Sequence, residues 1–154
     1  MNRDALAADF LAAHGFAGAG AGPRSADASF RSYRRLTGGP YPALLMDAPP
    51  DKEKLRPFVE VPAHLRRLGL SAPEVPAVDY DQGFALVEDF GDATFTRLLD
   101  GGADPEPLYA QAVDALVAMQ RHPDSADLAV PAYDLDFFLT ETRLFLDWYW
   151  PAVR

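Results

Sequence analysis

The 154-residue chain has no cysteine. Disulfides, thiolate metal sites and cysteine nucleophiles are therefore excluded. Its three histidines, His14, His64 and His122, are scattered, and no metal-binding set can be assembled from their spacing. Long apolar runs are missing too: none approaches the roughly 20 residues of a membrane-crossing helix. The opening MNRDALAADFLAAHGF is interrupted by Arg3, Asp4 and Asp9, so no signal peptide is expected there. A cytoplasmic location is compatible with these absences. Positive charge is scarce. The net charge is −9, which argues against a general binder of nucleic acid or of an anionic membrane, since both need a positive field.

What is present is an ordinary globular composition, 49% hydrophobic and 24% charged, enough for one domain or part of a larger one. The charge is uneven. Arg31, Arg34 and Arg35 cluster, whereas between Asp79 and Glu106 eight acidic residues face Arg97 as the sole base. A basic patch beside an acidic rim can bind a polyanion on an acidic chain.

There is no internal repeat. Leu6, Phe10, Leu11 and Ala13 line one face of a first helix, and GFAGAGAG (15–22) is a connector. Strands are expected over 30–36 and 43–46, joined by the TGGPYP turn. A helix follows over 52–68, with Asp51 placed to cap it and Gly69 to end it; Pro57 and Pro62 inside it predict either a kink or an irregular first half. A second hairpin spans 74–78 and 84–87 around YDQG. Helices follow at about 94–99, 106–120 and 134–150. Strands first and helices later indicate an α+β layout, an antiparallel sheet with one crossing helix. Leu108, Ala112, Ala115, Leu116 and Met119 form a stripe that reads as core. The last helix, DLDFFLTETRLFLDWYW, is apolar nearly all round, with Asp134 as its cap.

Four segments in order, DASFRSYRRL, ALLMDAPP, LGLSAPEVPAV and LVEDFGD, resemble the N-terminal lobe of the aminoglycoside-phosphotransferase and choline-kinase-like family, relatives of the protein kinases. SFRSYRRL, MDAPP and LFLDWYWP point within it to the cell-wall-recycling sugar kinases, which transfer the γ-phosphate of ATP to the C1 hydroxyl of N-acetylmuramate and N-acetylglucosamine. The resemblance implies an N-lobe over residues 1–90, and a hinge with the start of a helical C-lobe over 91–154. It implies ATP and Mg²⁺ as cofactors, an amino sugar as acceptor, and no nucleic-acid or membrane partner.

The same resemblance places the loop 25–31 over the ATP phosphates, with Ser29 and the backbone of Phe30 and Arg31 as donors; read alone, it is an ordinary hairpin turn. The strand position that usually carries a phosphate-binding lysine or arginine holds Met46, which cannot neutralise phosphate. Residues two apart share a strand face, so Arg31, Tyr33 and Arg35 lie on one side, Ser32 and Arg34 on the other. The expectation is that Arg31 and Arg35 supply the missing charge beside Met46, with Met46 and Leu44 packing on the base or ribose. The competing reading makes Arg35 a surface residue of a weak or dead site. Glu60, nearest to the usual lysine partner, reads as a solvated helix residue, and Asp47 as a partner for an arginine of the 30–36 strand. Glu88, Asp89 and Phe90 occupy the hinge, where backbone groups bind adenine; read alone, they are a strand end and an acidic loop. Glu141 and Trp148 are candidates for the substrate, Trp148 by stacking on a sugar ring or, equally, as packing. The family's His-Gly-Asp-x-x-x-x-Asn loop and later metal-binding aspartate do not appear, so no catalytic residue is assigned. The chain is expected to be an inactive N-lobe fragment exposing an apolar patch where the second lobe docks. The alternatives are a pseudokinase-like domain that binds a nucleotide or a partner, or a kinase of an aminoglycoside, choline or another small alcohol.

Overall fold

The computed structural model describes residues 2–26 and 29–154; Asp27 and Ala28 of the expected phosphate loop lie outside the described residues. The first helix, α1 (Arg3–Ala13), is capped by the Asn2 side chain, which accepts from the Asp4 N–H. Among the described residues six strands follow: β1 (Gly20–Ala21), β2 (Ser25–Ala26), β3 (Ser32–Thr37), β4 (Ala43–Asp47), β5 (Ala77–Asp79) and β6 (Phe84–Glu88), with helix α2 (Leu55–Arg67) between β4 and β5. Every pairing is antiparallel, in the order β1-β3-β4-β6-β5. β1 and β2 both pair with β3, so 20–26 is one edge interrupted at Gly22–Arg24. Pro23 is tolerated there because an edge strand has a side that needs no ladder donor.

Period-two alternation sorts the side chains onto two faces. On one, Leu36, Ala43, Leu45, Phe84 and Leu86 pack against Ala7, Phe10 and Leu11 of α1 and against Phe16. On the other, Tyr33, Leu44, Met46, Ala85 and Val87 pack with Leu55, Phe58 and Val59 of α2. The sheet is thus the antiparallel α+β layer expected, with α2 crossing it, and α1 covers its second face as well. Within α1 the covered residue is Ala7 rather than Ala13, which is exposed.

α2 begins three residues later than expected. Lys52 and Glu53 N–H groups both donate to the Pro49 carbonyl at 2.9 Å, and that turn takes up the segment. Asp51 is not the cap; Lys54 holds that position without a side-chain bond. Pro57 falls in the first turn, where its missing N–H has no partner to lose, and Pro62 lies inside the helix. The helix ends at Gly69, whose φ of 80° lets its N–H reach the Arg66 carbonyl and the Leu70 N–H reach that of Leu65, at 2.9 and 3.0 Å. The strand expected over 74–78 shortens to β5, since Pro73 and Pro76 offer no ladder donor.

After β6 the chain is helical: α3 (Phe95–Asp100), α4 (Pro105–Arg121), α5 (Leu135–Leu144), a π-helical turn (Phe145–Tyr149) and α6 (Trp150–Ala152). Thr94, Asp104 and Asp134 cap α3, α4 and α5 through their side chains. The α4 stripe expected as core is not buried: Leu108, Ala112 and Met119 are partly covered, Ala115 and Leu116 exposed. No described layer packs over that face.

Candidate functional site

A groove of about 660 Å³ opens on the α2 side of the sheet. Pro23, Tyr33, Arg35 and Leu44 line it, and Asp92 and Arg97 stand at its rim. The register explains the lining: Tyr33 lies opposite Met46 and Arg35 opposite Leu44, so β3 and β4 present these four residues on one face. Met46 itself is 0% exposed and fills the apolar layer under α2 rather than the groove. Asp47, the next residue, points to the other face. There it pairs with Arg3 of α1 and, at 3.6 Å, with Arg24, not with an arginine of β3 as expected. Arg34, also on that face, bonds Asp4 at 3.0 Å.

Arg35 reaches across the groove to the segment after β6. Its Nε and Nη2 donate to Asp89 at 2.6 and 3.0 Å, and its Nη1 and Nη2 donate to Asp92 at 2.8 and 3.1 Å. Arg97 adds a contact to Asp92 at 3.1 Å. Asp89 also accepts the Gly91 N–H at 2.9 Å. The Asp89 carboxyl is held below its ordinary value chiefly by the Arg35 hydrogen bonds, helped by Gly91 and opposed by burial. Asp92 is lowered by the same guanidinium first and by Arg97 in addition. Arg35 is pushed further into its charged form, by Asp92 and then by Asp89. Two cations and two anions make the ladder neutral as a whole.

The loop ahead of β3 is tied to the β4–α2 connection. The Phe30 N–H donates to Glu53 at 2.8 Å, and Lys52 lies 5.1 Å from the Phe30 ring centre. Arg31 donates from its backbone and Nε to the Ser29 hydroxyl at 3.1 and 3.0 Å, and its guanidinium lies 5.3 Å from the Phe58 ring on α2. Arg31, Tyr33 and Arg35 therefore do share the α2 face. Glu60 is half exposed and bridges Arg56 at 3.7 Å. Glu88 accepts the Glu74 N–H at 2.9 Å, and Phe90 is exposed. Neither Glu141 nor Trp148 lines the groove; Trp148 is 75% exposed.

Residues that the sequence did not single out are Asp92 and Arg97 as partners of the Arg35 fork, and His64. His64 is 4% exposed, takes a hydrogen from Arg67 at Nδ1 (3.0 Å) and contacts the Ser125 carbonyl through Nε2 at 3.2 Å. A buried histidine one turn ahead of a proline-free helix end is a weak signal, and the Ser125 partner lies far along the chain. Among the described residues no group of three or more His, Asp or Glu could hold a metal ion, and no helix is long and apolar enough to cross a membrane.

The groove offers apolar surface from Leu44 and Tyr33 and charged groups from Arg35, Asp92 and Arg97; outside its lining, the Phe30, Arg31, Glu88 and Gly91 N–H groups donate to Glu53, the Ser29 hydroxyl, the Glu74 carbonyl and Asp89. The apolar lining suits a flat heterocycle. Residues 21–153 match the phosphotransferase enzyme family, APH. The chain is 42% identical over 129 residues to the N-acetylmuramate/N-acetylglucosamine kinase of Pseudomonas aeruginosa, covering 82% of this chain and 37% of that protein. It is 38% identical over 125 residues to the kinase of the same name from Pseudomonas putida, covering 81% and 36%. A third, from Caulobacter vibrioides, is 31% identical over an alignment covering 95% of this chain and 50% of the relative. The chain thus spans between about a third and a half of the length of these relatives.

Proposed function

The chain belongs to the phosphotransferase enzyme family, and on that premise we propose that it is the nucleotide-binding lobe of an ATP-dependent amino-sugar kinase. The whole enzyme would transfer the γ-phosphoryl group of ATP to the C1 hydroxyl of N-acetylmuramate or N-acetylglucosamine, in the cytoplasm, as part of cell-wall recycling. The observation that carries this reading is the groove of about 660 Å³ under an antiparallel sheet crossed by α2, in a chain whose relatives are named N-acetylmuramate/N-acetylglucosamine kinases. The layout is that of a protein-kinase-like N-lobe.

In this reading Leu44 and Tyr33 hold the base or ribose, with Met46 as the buried floor behind them. The backbone at Glu88, Asp89 and Phe90 pairs with adenine. The loop at Ser29, Phe30 and Arg31 lies over the phosphates, where the Phe30 and Arg31 N–H groups would exchange their bonds to Glu53 and the Ser29 hydroxyl for phosphate oxygens, and Arg31 contributes the nearest positive charge of that loop. The described residues do not build a Mg²⁺ site. We place its ligands, the catalytic base and most of the acceptor pocket in the part of the relatives' length that this chain does not span. Catalysis would then rest on orientation and on neutralising charge, and the 154-residue chain alone would not turn over.

The protein expressed from its complete gene, given ATP, Mg²⁺ and either sugar, should produce ADP and an anomeric sugar phosphate visible by ³¹P NMR. Activity confined to an aminoglycoside or choline would move the acceptor assignment to a small cationic alcohol, toward which the acidic segment 79–106 would steer. ATP binding without any turnover would favour the second reading, a non-catalytic nucleotide- or partner-binding lobe. The buried, uncharged Met46 is the observation that speaks for it.

A further inference from the structure

The sequence suggests Arg35 as a phosphate ligand; its surroundings suggest another task. A guanidinium has five N–H donors. The four hydrogen bonds to Asp89 and Asp92, at 2.6–3.1 Å, occupy one hydrogen on Nε, both on Nη2 and one on Nη1. A single Nη1 hydrogen remains. A phosphate approaching that fork would have to displace a bidentate carboxylate and would meet two negative charges at once. The Asp89 side chain is only 9% exposed, and the φ of 75° at Gly91 turns the chain so that the Gly91 N–H returns to the same carboxylate. Asp92 continues the connection to Arg97, in α3, and its carbonyl accepts the N–H of Thr94, which caps that helix.

We propose that Arg35 is a positioning residue that clasps the segment 89–92 to β3 across the groove, fixing the backbone that pairs with adenine and the angle at which α3 leaves the sheet. The proposal rests on the nucleotide reading for what the clasp serves, and on the geometry alone for the clasp itself. The clasp and a phosphate grip make opposite demands. A grip needs charge, which lysine keeps. A clasp needs the planar fork, which lysine lacks. A grip would strengthen when Asp89 or Asp92 releases the guanidinium, whereas a clasp would weaken.

The test uses R35K, D89N and D92N in the protein from the complete gene, with circular dichroism confirming that each folds. Binding of adenosine and of the non-hydrolysable analogue AMP-PNP is measured by calorimetry. R35K and D89N should weaken both ligands by the same factor, about fivefold for a partly exposed ion-pair network, and raise KM for ATP more than they lower kcat. Selective loss of AMP-PNP in R35K, or tighter AMP-PNP binding in D89N, would overturn the proposal. Amide exchange over 89–97 without nucleotide provides the second readout. R35K should accelerate it, and unchanged exchange would refute the clasp even if the wild-type protein bound no nucleotide, an outcome that by itself would sink only the nucleotide reading.

Discussion

Met46 and Asp47 are successive residues of β4 that serve opposite faces of the sheet. Met46 is 0% exposed under α2, and Asp47 ties α1 to the sheet through Arg3, with an Nε–Oδ1 bond of 2.9 Å. The strand ends on this pair because two different layers have to be closed at one place. A lysine at position 46 would therefore bury an ammonium in the apolar layer of Leu55, Ala85 and Val87, with Glu60 half exposed and paired to Arg56. Met46→Lys is expected to lower stability by about 3 kcal/mol and not to improve ATP binding. Urea titration and calorimetry would check both, and a fully stable M46K with tighter ATP binding would show that the position still faces the groove.

Two glycines with similar backbone angles should behave differently. Gly69 (φ 80°) and Gly83 (φ 75°) are both left-handed. A Cβ on Gly69 would meet nothing within 4 Å, whereas one on Gly83 would stand 1.9 Å from the Ala48 carbonyl oxygen. Gly83 also accepts the Ala48 N–H at 2.8 Å, so neither strand end can move away. Gly69→Ala should cost about 1 kcal/mol, Gly83→Ala roughly 3 kcal/mol or more. Comparable denaturation midpoints for the two variants would contradict the backbone clash.

Much of this layout is legible from residue order because it depends on local rules. Alternation puts Arg31, Tyr33 and Arg35 on one face, Gly69 stops α2, and Asp134 caps α5. Relations across the chain are not legible. Arg35 finds its carboxylates 54 and 57 residues away, and a run of arginines looks the same whether it grips a ligand or a neighbouring loop. The role of α1 as a second cover for the sheet is hidden for a related reason. The pairing of Arg3 with Asp47 spans 44 residues, and either partner alone reads as surface charge. The α4 stripe has the periodicity of a core helix, but periodicity names the face to be covered and not what covers it.

The Arg35 ladder also has a pH signature. The Asp89 and Asp92 carboxyls are both lowered from 3.8. Their contribution to stability is then fully present above about pH 5 and is lost as pH falls through the ordinary value toward their lower folded values. The stability gap between the wild type and D89N should accordingly be constant from pH 5 to 7 and narrow below pH 4. It should also shrink in 1 M salt, because Arg35 and Asp92 are solvent-facing. A gap that widens on acidification would reverse the sign and exclude the ladder as its source.

The helical half carries a large apolar surface: Tyr133, Phe137, Phe138, Trp148, Tyr149 and Trp150 are each at least 43% exposed. Patches of this kind associate in water. The 154-residue chain should therefore self-associate or aggregate at micromolar concentration, and light scattering should report species above 16.8 kDa. A monodisperse monomer would mean that these side chains find cover within the chain.

His64 joins the crossing helix to the helical half. Arg67 only donates, so its contact fixes Nδ1 as the acceptor, and the ring hydrogen then sits on Nε2, aimed at the Ser125 carbonyl 3.2 Å away. The side chain is buried on α2, and Ser125 lies just beyond α4, so this bond couples the position of α2 to the segment between α4 and α5. His64→Ala removes the donor and opens a gap; His64→Phe fills the space and removes only the bonds. Both should accelerate amide exchange over 122–128, with His64→Ala costing about 2 kcal/mol and His64→Phe leaving the Ser125 carbonyl equally unpaired. If His64→Phe restored protection at 122–128, filling the space would be what matters, and the hydrogen bond would carry none of the coupling.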